Sequence, residues 1–400
     1  MIDFEPNEQT KLMIDGVRRF IKNEVVPEEE SIGGILKFNP DGLDMEGRKI
    51  PELLAARKRI FKKSADAGFL NAHMPEEVGG SGISHVDVYF LREEVFKHGL
   101  GLNQYVITLT SRGPNVMLLQ LQDCVKDKYL YPVVKGEKTT CLALTEPEAG
   151  SDVMAIKAKA KKDGDFWVID GRKLYIGNGP YADFAQVVAY TAAPERRGHG
   201  ISIFAVDLDS QGISRKMIRT TVGSGDWAEI HFNSVRVPED NLIGRLHQGL
   251  PLLMEWLVGE RIDMGGQCLG LAQYLLKRSI DYANQRHTFG KPLGSRQYIQ
   301  GMIVDSATEI YAAKHAILAS AWKLDRKERV RKESSMAKLL ATETLYRVAD
   351  RSIQILGGSG LDKELPEEKI FRLARAMRVY EGTSEIQKLT IARELGLPPS

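Results

Sequence analysis

The chain has 400 residues, too many for one simple hydrophobic core, and its composition of 43% hydrophobic and 27% charged residues is that of an ordinary globular protein. The formal net charge of +2 argues against a protein that binds nucleic acid through bulk electrostatics. Three cysteines that are far apart and form no CxxC pair argue against a disulfide framework or a cysteine zinc site, and they indicate a reducing compartment.

Hydropathy and the N-terminus bear on location. No run of about 18 apolar residues occurs, so we expect no membrane-spanning helix. The first residues, Met1–Pro6, are acidic and show no signal-peptide or transit-peptide pattern. We therefore expect a cytoplasmic protein without a metal site, and a mature mitochondrial matrix protein stays open.

Residues 1–138 have the spacing of amphipathic helices. Leu12, Val17 and Phe20 recur on one helical face. Residues 31–50 are rich in glycine, asparagine, proline and aspartate and predict a surface excursion. The segment as a whole predicts an N-terminal all-α domain.

Residues 139–245 change to a period of two. Asp163-Gly164 and Asp170-Gly171 bracket the β-forming run Phe166–Ile169, which predicts a hairpin. Further alternating or β-branched runs follow. This segment predicts a middle domain built as an antiparallel β-barrel or sheet.

Residues 246–400 return to helical spacing. The predicted helices cover Leu253–Leu271, residues 299–324 and 333–356, Ile370–Val379 and Ile386–Leu395. This segment predicts a C-terminal four-helix bundle. The fold expected for the whole chain is α+β and multidomain, with domains at 1–138, 139–245 and 246–400.

A turn near the C-terminus places a carboxylate directly before a glycine. Gly382 interrupts the last two predicted helices, and Thr383 or Ser384 is suited to cap the second. Glu381 is therefore held on a defined turn. Taken alone, this residue is either a functional carboxylate or a charge that tempers the positive end of the next helix.

Five ordered motifs resemble the acyl-CoA dehydrogenase family. They are LTEPEAGSD at 144–152, YIGNG at 175–179, RHTFGKPL at 286–293 followed by Gln297, QILGGSG at 354–360 and YEGT at 380–383. The stretch HMPEEVGG at 73–80 is also similar to this family. The resemblance covers nearly the whole chain.

The resemblance implies an FAD cofactor. It places in the cofactor site Leu142, Leu144, Thr145, Gly150, Ser151, Tyr175, Gly177, Arg286, Thr288, Phe289, Gln297, Gln354, Gly357, Gly358, Thr383 and Glu385. In the family, Arg286, Phe289, Gln354 and the Gly357-Gly358 turn reach the cofactor of a neighbouring subunit, which implies a dimer or tetramer. Arginine is suited to phosphate contacts.

The resemblance also implies the reaction. Glu381 would remove the proton α to an acyl-CoA thioester while a hydride leaves the β carbon, giving a trans-2-enoyl-CoA in fatty acid or amino acid catabolism. Its backbone N–H would help to hold the thioester oxygen. The implied substrate residues are Ser151, Arg261, Tyr380, Gly382 and Arg393. An electron-transfer flavoprotein would reoxidise the cofactor.

Glu260 is an alternative base. It lies on the otherwise apolar stripe of its predicted helix, where a lone carboxylate is costly unless it is paired. Some family members carry their base at this position and lack a glutamate in the final loop, whereas this chain has both. If Glu381 is the base, we expect Glu260 to pair with Arg261 or to shape the electrostatics of the site.

Two residues depart from the family pattern. Gly177 stands where many members have a threonine or serine that bonds to the flavin, and Glu148 stands where a glycine is usual. Residues 31–50 also look longer than the family norm.

Two other functions stay open from the sequence. One is an oxygen-using relative, such as an acyl-CoA oxidase or a nitroalkane oxidase, although the aspartate base of the latter disagrees with Glu381. The other is a flavin-containing relative that binds nucleic acid without turnover, which the near-neutral charge disfavours.

Overall fold

The computed structural model describes residues 5–108, 111–193 and 198–398. Its α-helices, in chain order, are α1 Glu8–Phe20, α2 Val26–Leu36, α3 Pro51–Asp66, α4 His85–Phe96, α5 Asp123–Val134, α6 Gly249–Gln285, α7 Gln297–Asp325, α8 Arg331–Leu356, α9 Pro366–Met377 and α10 Ser384–Glu394. Its strands are β1 Thr140–Ala143, β2 Lys159–Asp163, β3 Phe166–Gly177, β4 Phe184–Tyr190, β5 Ile201–Asp207, β6 Ile213–Ile218, β7 Trp227–Pro238, β8 Leu242–Ile243, β9 His287–Thr288 and β10 Lys291–Pro292.

These elements confirm the α+β fold, with helices first, a sheet in the middle and helices last. They group into two compact units. A helical unit combines the described residues of 5–40, 83–107 and 258–398, and a sheet unit combines those of 41–82 and 108–257. The domain boundaries predicted after residues 138 and 245 stay predictions. None of the helices in the described part of the chain is long and apolar enough to cross a membrane.

Glycines in α6 let α4 approach it closely in the helical unit. A Cβ on Gly266 would lie 2.7 Å from the carbonyl oxygen of Tyr89, and one on Gly270 would lie 2.5 Å from that of Glu93. A glycine costs a helix interior about 1 kcal/mol relative to alanine. The glycines therefore lower the intrinsic helix propensity of α6 but allow close packing against α4. This packing brings polar side chains of the two helices into contact.

The β1–β8 sheet is confirmed, and it is mixed rather than purely antiparallel. The order of the described strands is β6-β7-β3-β2-β4-β5-β8, with β1 beside β4. β1 and β2 pair parallel with β4, and the other pairs are antiparallel. This order leaves β6 and β8 unpaired with each other at opposite ends. Of the two predicted forms, the described strands therefore make an open sheet and not a barrel.

The centre of the sheet is buried on both faces. β4 and β5 are buried along almost their whole length, whereas β7 alternates. One face packs with Tyr129 and Leu130 of α5, and the other forms a core around Trp167 and Phe204. Two-sided burial explains why β4 and β5 read as continuous apolar runs.

The excursion predicted at residues 31–50 is anchored at its end. Lys49 is buried, and its Nζ lies 3.0 Å from Oδ1 of Asp226, just before β7. Arg112 and Arg57 also lie within 4 Å of the Asp226 carboxylate. Burial raises the pKa of Asp226, but the three cations, Arg112 first, outweigh burial and lower it. The surface-loop prediction was wrong for this end.

Candidate active site

The turn that carries Glu381 is strained and well held. Glu381 has φ +56° and Gly382 has φ +85°, so two consecutive residues lie in the left-handed region. That region costs a non-glycine residue roughly 1–2 kcal/mol. Thr383 caps α10 as predicted, because its Oγ1 accepts a hydrogen bond of 3.2 Å from the N–H of Ile386. Strain at a single acidic residue is typical of a functional position.

Two side chains from other parts of the helical unit fix this turn. Nζ of Lys338 donates to the carbonyl oxygen of Gly382 at 2.8 Å. Nε2 of Gln387 donates to the carbonyl oxygens of Glu381 and Gly382 at 3.1 and 3.0 Å. The backbone N–H of Glu381 has no partner in the described part of the chain, which leaves it available as a donor.

The partly buried Glu381 carboxylate lies in a field of buried cations. Burial raises its pKa, and the positive charges of Arg261 and Lys338 partly offset this rise. Burial also lowers the pKa of Lys338, to about 8, and that of Arg261. A base whose pKa lies above that of a free carboxylate is better matched to proton abstraction near neutral pH.

Glu260 is buried on α6, and its ionisation responds to the charge of Glu381. Burial, and next the charge of Glu381, raise the pKa of Glu260 well above the ordinary value. Two neighbouring carboxylates resist ionising together, so one of them keeps its proton. Because two cations, Arg261 and Lys338, favour the charged form of Glu381 and only Arg92 does so for Glu260, we expect Glu381 to ionise first and Glu260 to stay neutral.

The predicted pairing of Glu260 with Arg261 is wrong. No ion pair joins them in the described part of the chain, and the charge of Arg261 acts on Glu381 instead. Adjacent residues on a helix point about 100° apart, so they do not face each other. Arg261 therefore belongs to the surroundings of the Glu381 turn.

Two predicted flavin motifs lie side by side in the sheet unit. The N–H of Leu174 donates to the carbonyl oxygen of Thr145 at 2.8 Å, and Nζ of Lys173 donates to that of Leu144 at 2.9 Å. Lys173 also forms a fully buried ion pair with Glu146, at 2.8 Å. Sequence reasoning missed this pair, which ties the end of β1 to β3.

The same surface is open where the motifs predict contact with a cofactor. Gly150, Ser151 and Tyr175 are exposed, and Leu142, Leu144, Thr145 and Gly177 are partly buried. A Cβ on Gly150 or Gly177 would meet nothing within 4 Å. Tyr175 has φ +55° where the register of β3 against β7 shifts, which marks a bulge. The hydroxyls of Thr145 and Ser151 are suited to hydrogen-bond a phosphate. The open backbone at Gly150 and Gly177 leaves room for a planar ring such as a flavin.

The remaining cofactor motifs meet at one end of the helical unit. A small apolar cluster joins the end of α6, the start of α7 and the end of α8 through Ala283, Ile299 and Ile355. The exposed members at this end are Arg286, Phe289, Gln297, Gln354, Gly357 and Gly358, with Thr288 partly buried. Phe289 has φ +49° and is 97% exposed, so the β9–β10 hairpin presents it to the surface.

The other predicted residues flank the Glu381 turn. Tyr380 is partly buried, and Glu385 and Arg393 are exposed on α10. Sequence reasoning missed Lys338 and Gln387. The signal for Lys338 was a charged residue on a face of α8 made of small residues, between the buried Ser334 and Ala341.

Family models match the chain in three consecutive parts. They are the N-terminal domain of acyl-CoA dehydrogenase at residues 7–137, its middle domain at 141–235 and its C-terminal domain at 247–396.

Individual relatives agree with these matches. The 3-(aryl)acrylate reductase of Clostridium sporogenes is 34% identical over 97% of this chain and 98% of its own length. The caffeyl-CoA reductase-Etf complex subunit CarC of Acetobacterium woodii is 34% identical over 84% of this chain and 89% of its own. The solved structure of butyryl-CoA dehydrogenase from Megasphaera elsdenii superposes with a TM-score of 0.84, at 27% identity, covering 98% of this chain and 99% of that one.

Proposed function

Because the chain belongs to the acyl-CoA dehydrogenase family of FAD-dependent oxidoreductases, we propose that it interconverts an acyl-CoA thioester and its trans-2-enoyl-CoA, with Glu381 as the base. In the oxidative direction Glu381 removes the α proton. In the reductive direction the same group, now protonated, returns it. Two of the similar proteins are named reductases, which supports a reaction that runs either way.

The observation that carries this proposal is the state of Glu381. Its carboxylate stands on a strained turn, beside the cations Arg261 and Lys338 and next to the buried acid Glu260. These cations favour the charged form of Glu381 despite its burial, whereas burial and the charge of Glu381 favour the neutral form of Glu260. The N–H of Glu381 is available to the thioester oxygen, and a held oxygen acidifies the α proton.

We assign the cofactor to the residues that the motifs predicted. Thr145, Gly150 and Ser151 would bind the pyrophosphate and ribityl part, and the open β3 positions Tyr175 and Gly177 would lie against the ring. When bound, FAD supplies the acceptor for the hydride that leaves the β carbon. The exposed hydroxyls and the space at both glycines support this assignment.

We further propose an electron-transfer flavoprotein as the redox partner. One similar protein is a subunit of a reductase–Etf complex, which supports such a partner here. Rapid reoxidation by air of the substrate-reduced enzyme would favour the oxidase alternative instead.

The base assignment is tested by Glu381→Gln against Glu260→Gln, each purified with FAD and titrated anaerobically with straight, branched and aromatic acyl-CoAs. We expect Glu381→Gln to keep its flavin but to bleach at least about 100-fold more slowly, since a positioned base contributes 10²–10⁴ in rate. Glu260→Gln keeps a neutral group of the same shape and should bleach within a fewfold of the parent. The opposite ranking would transfer the base role to Glu260.

A further inference from the structure

Arg92 on α4 is a buried cation whose hydrogen bonding is incomplete. It is 2% exposed, and one of its terminal nitrogens donates to Oε1 of Gln267 on α6 at 2.9 Å. Its Nε and Nη1 are buried and have no partner in the described part of the chain. A buried guanidinium needs a counter-charge or acceptors, because desolvation is otherwise uncompensated.

The carboxylates next to Arg92 in sequence are engaged elsewhere. Glu93 accepts from Tyr89 and Gln273 and pairs with Lys97 and Lys314. Glu94 pairs with Arg18 at 2.7 Å, and Asp263 of α6 pairs with His85 at 3.1 Å. None of these groups is left to neutralise Arg92.

Among the described residues, Glu260 is the one carboxylate whose pKa shift is due in part to Arg92. Its Oε2 is also buried without a hydrogen-bond partner, and no ion pair joins it to Arg92 in the described residues. Burial and the charge of Glu381 favour its neutral form, so it does not supply the missing negative charge. A buried cation without a counter-charge on α4 therefore lies within electrostatic range of an acid on α6 that favours its neutral form.

This pair lies beside the reacting carboxylate. The pKa of Glu260 responds to the charges of both Glu381 and Arg92. Glu260 and Gln267, which holds the guanidinium, are seven residues apart on one face of α6, about 10.5 Å along the axis. An acyl group whose α carbon is at Glu381 can reach Arg92 with its far end if it follows that face.

We propose that Arg92 binds a free carboxylate at the far end of the acyl group, so that the substrate class is acyl-CoA thioesters carrying a second acid group. This rests on the proposed function. The carboxylate would accept from the N–H groups of Arg92 that lack partners, and the protonated Glu260 can donate to its other oxygen. A chain that ends in methyl would leave the buried cation unpaired.

The test uses ligands that bind but cannot react. A series of ω-carboxyalkyl-CoA thioethers of increasing length is compared with alkyl-CoA thioethers of matching length by calorimetry on the FAD-loaded enzyme. We expect the carboxylate to improve binding by about tenfold or more at one or two lengths, as a charge-assisted hydrogen bond would. Arg92→Gln should abolish this preference and leave the affinity for the alkyl series within a fewfold. Equal affinity at every length, or a preference that survives in Arg92→Gln, would overturn the proposal.

Two further variants separate binding from folding. Gln267→Glu gives Arg92 a counter-charge inside the protein, and it should remove the carboxylate preference even if Arg92→Gln does not fold. Arg347→Gln removes a partly exposed cation that pairs with Glu309, and it should keep the preference. Bleaching of the flavin by acyl-CoA thioesters of the same chain lengths is measured in a separate experiment. A preference that depends on Arg92 without bleaching by any thioester would contradict the proposed reaction and leave the carboxylate site intact.

Discussion

Two features of the Glu381 turn require a glycine at position 382: a positive φ and the close approach of a neighbouring side chain. Its φ is +85°, and a Cβ would lie 2.7 Å from Nε2 of Gln387, the side chain that fixes the turn. Gly396, past the end of α10, has the same φ with nothing within 4 Å. Gly396→Ala thus measures the cost of the backbone conformation alone, roughly 1–2 kcal/mol.

We predict that Gly382→Ala lowers the free energy of unfolding by about 1 kcal/mol or more beyond Gly396→Ala, because Gln387 must move. The variant should keep its FAD and bleach at least about tenfold more slowly, since the turn that aims Glu381 is displaced. Chemical denaturation and anaerobic titration with an acyl-CoA measure the two effects. An equal loss of unfolding free energy in both variants would show that Gln387 moves aside without destabilising the protein.

At this same scale, the sequence revealed Glu381 because its signal is local: a carboxylate, a glycine and a cap in adjacent positions. Lys338, Gln387 and Arg92 were not predicted, since each acts on a partner that is distant in sequence or hidden by helical spacing. The wrong pairing of Glu260 with Arg261 has the opposite cause. Neighbours in sequence were taken as neighbours in space, which an α-helix does not allow for consecutive residues.

Among elements, the start of α4 is tied to two other helices by charge. Asp325 of α7 accepts from the N–H groups of His85 and Val86 at 2.7 and 3.1 Å, and Asp263 of α6 lies 3.1 Å from the His85 ring. Burial alone would lower the pKa of His85, but Asp263 outweighs it and Asp325 adds to the effect, raising that pKa from 6.5 to about 9. The folded state therefore binds this proton more tightly than the unfolded chain.

The sign of the pH dependence follows from this raised pKa. The stabilisation by protonated His85 is fully present below pH 6.5 and is lost as the pH rises through about 9. We predict that the melting temperature falls over this range more steeply in the parent than in His85→Gln, which cannot titrate. Scanning calorimetry at matched ionic strength measures both curves. Parallel curves would mean that this contact contributes no linked stability.

Element prediction succeeded where burial leaves a periodic pattern. The five helical stretches predicted after residue 246 fall on α6–α10, although the last two were predicted to run past the ends of α9 and α10, to Val379 and Leu395. The hairpin at Phe166 is the β2–β3 pair. The parallel pairing of β1 with β4 was not predictable, because it joins segments some forty residues apart. The glycines of α6 gave no clear signal either, since their role depends on the backbone of α4.

At the scale of the whole molecule, the exposed aromatic residues near the β9–β10 hairpin bear on how copies of the chain assemble. Phe289 in the hairpin is 97% exposed, and Tyr298 at the start of α7 is 89% exposed. Large apolar groups exposed close together mark contact surfaces more often than scattered ones do. They support the expectation from the sequence that a second copy of the chain covers this end, where Arg286, Gln354 and the Gly357-Gly358 turn would reach its cofactor.

We predict that Phe289→Asp shifts the protein toward monomer and lowers its FAD content, because a charge replaces an apolar contact at the proposed subunit boundary. Light scattering after size exclusion gives the mass over a range of concentrations, and the ratio of flavin to protein absorbance gives the occupancy. Phe38→Asp is the matched control, since Phe38 is 86% exposed just after α2 and lies outside the predicted cofactor motifs. A parent that is monomeric at micromolar concentration, or a Phe289→Asp variant with unchanged mass and flavin, would remove the basis for a shared cofactor site. Loss of flavin without loss of mass would mean that Phe289 helps to bind the cofactor but does not hold the subunits together.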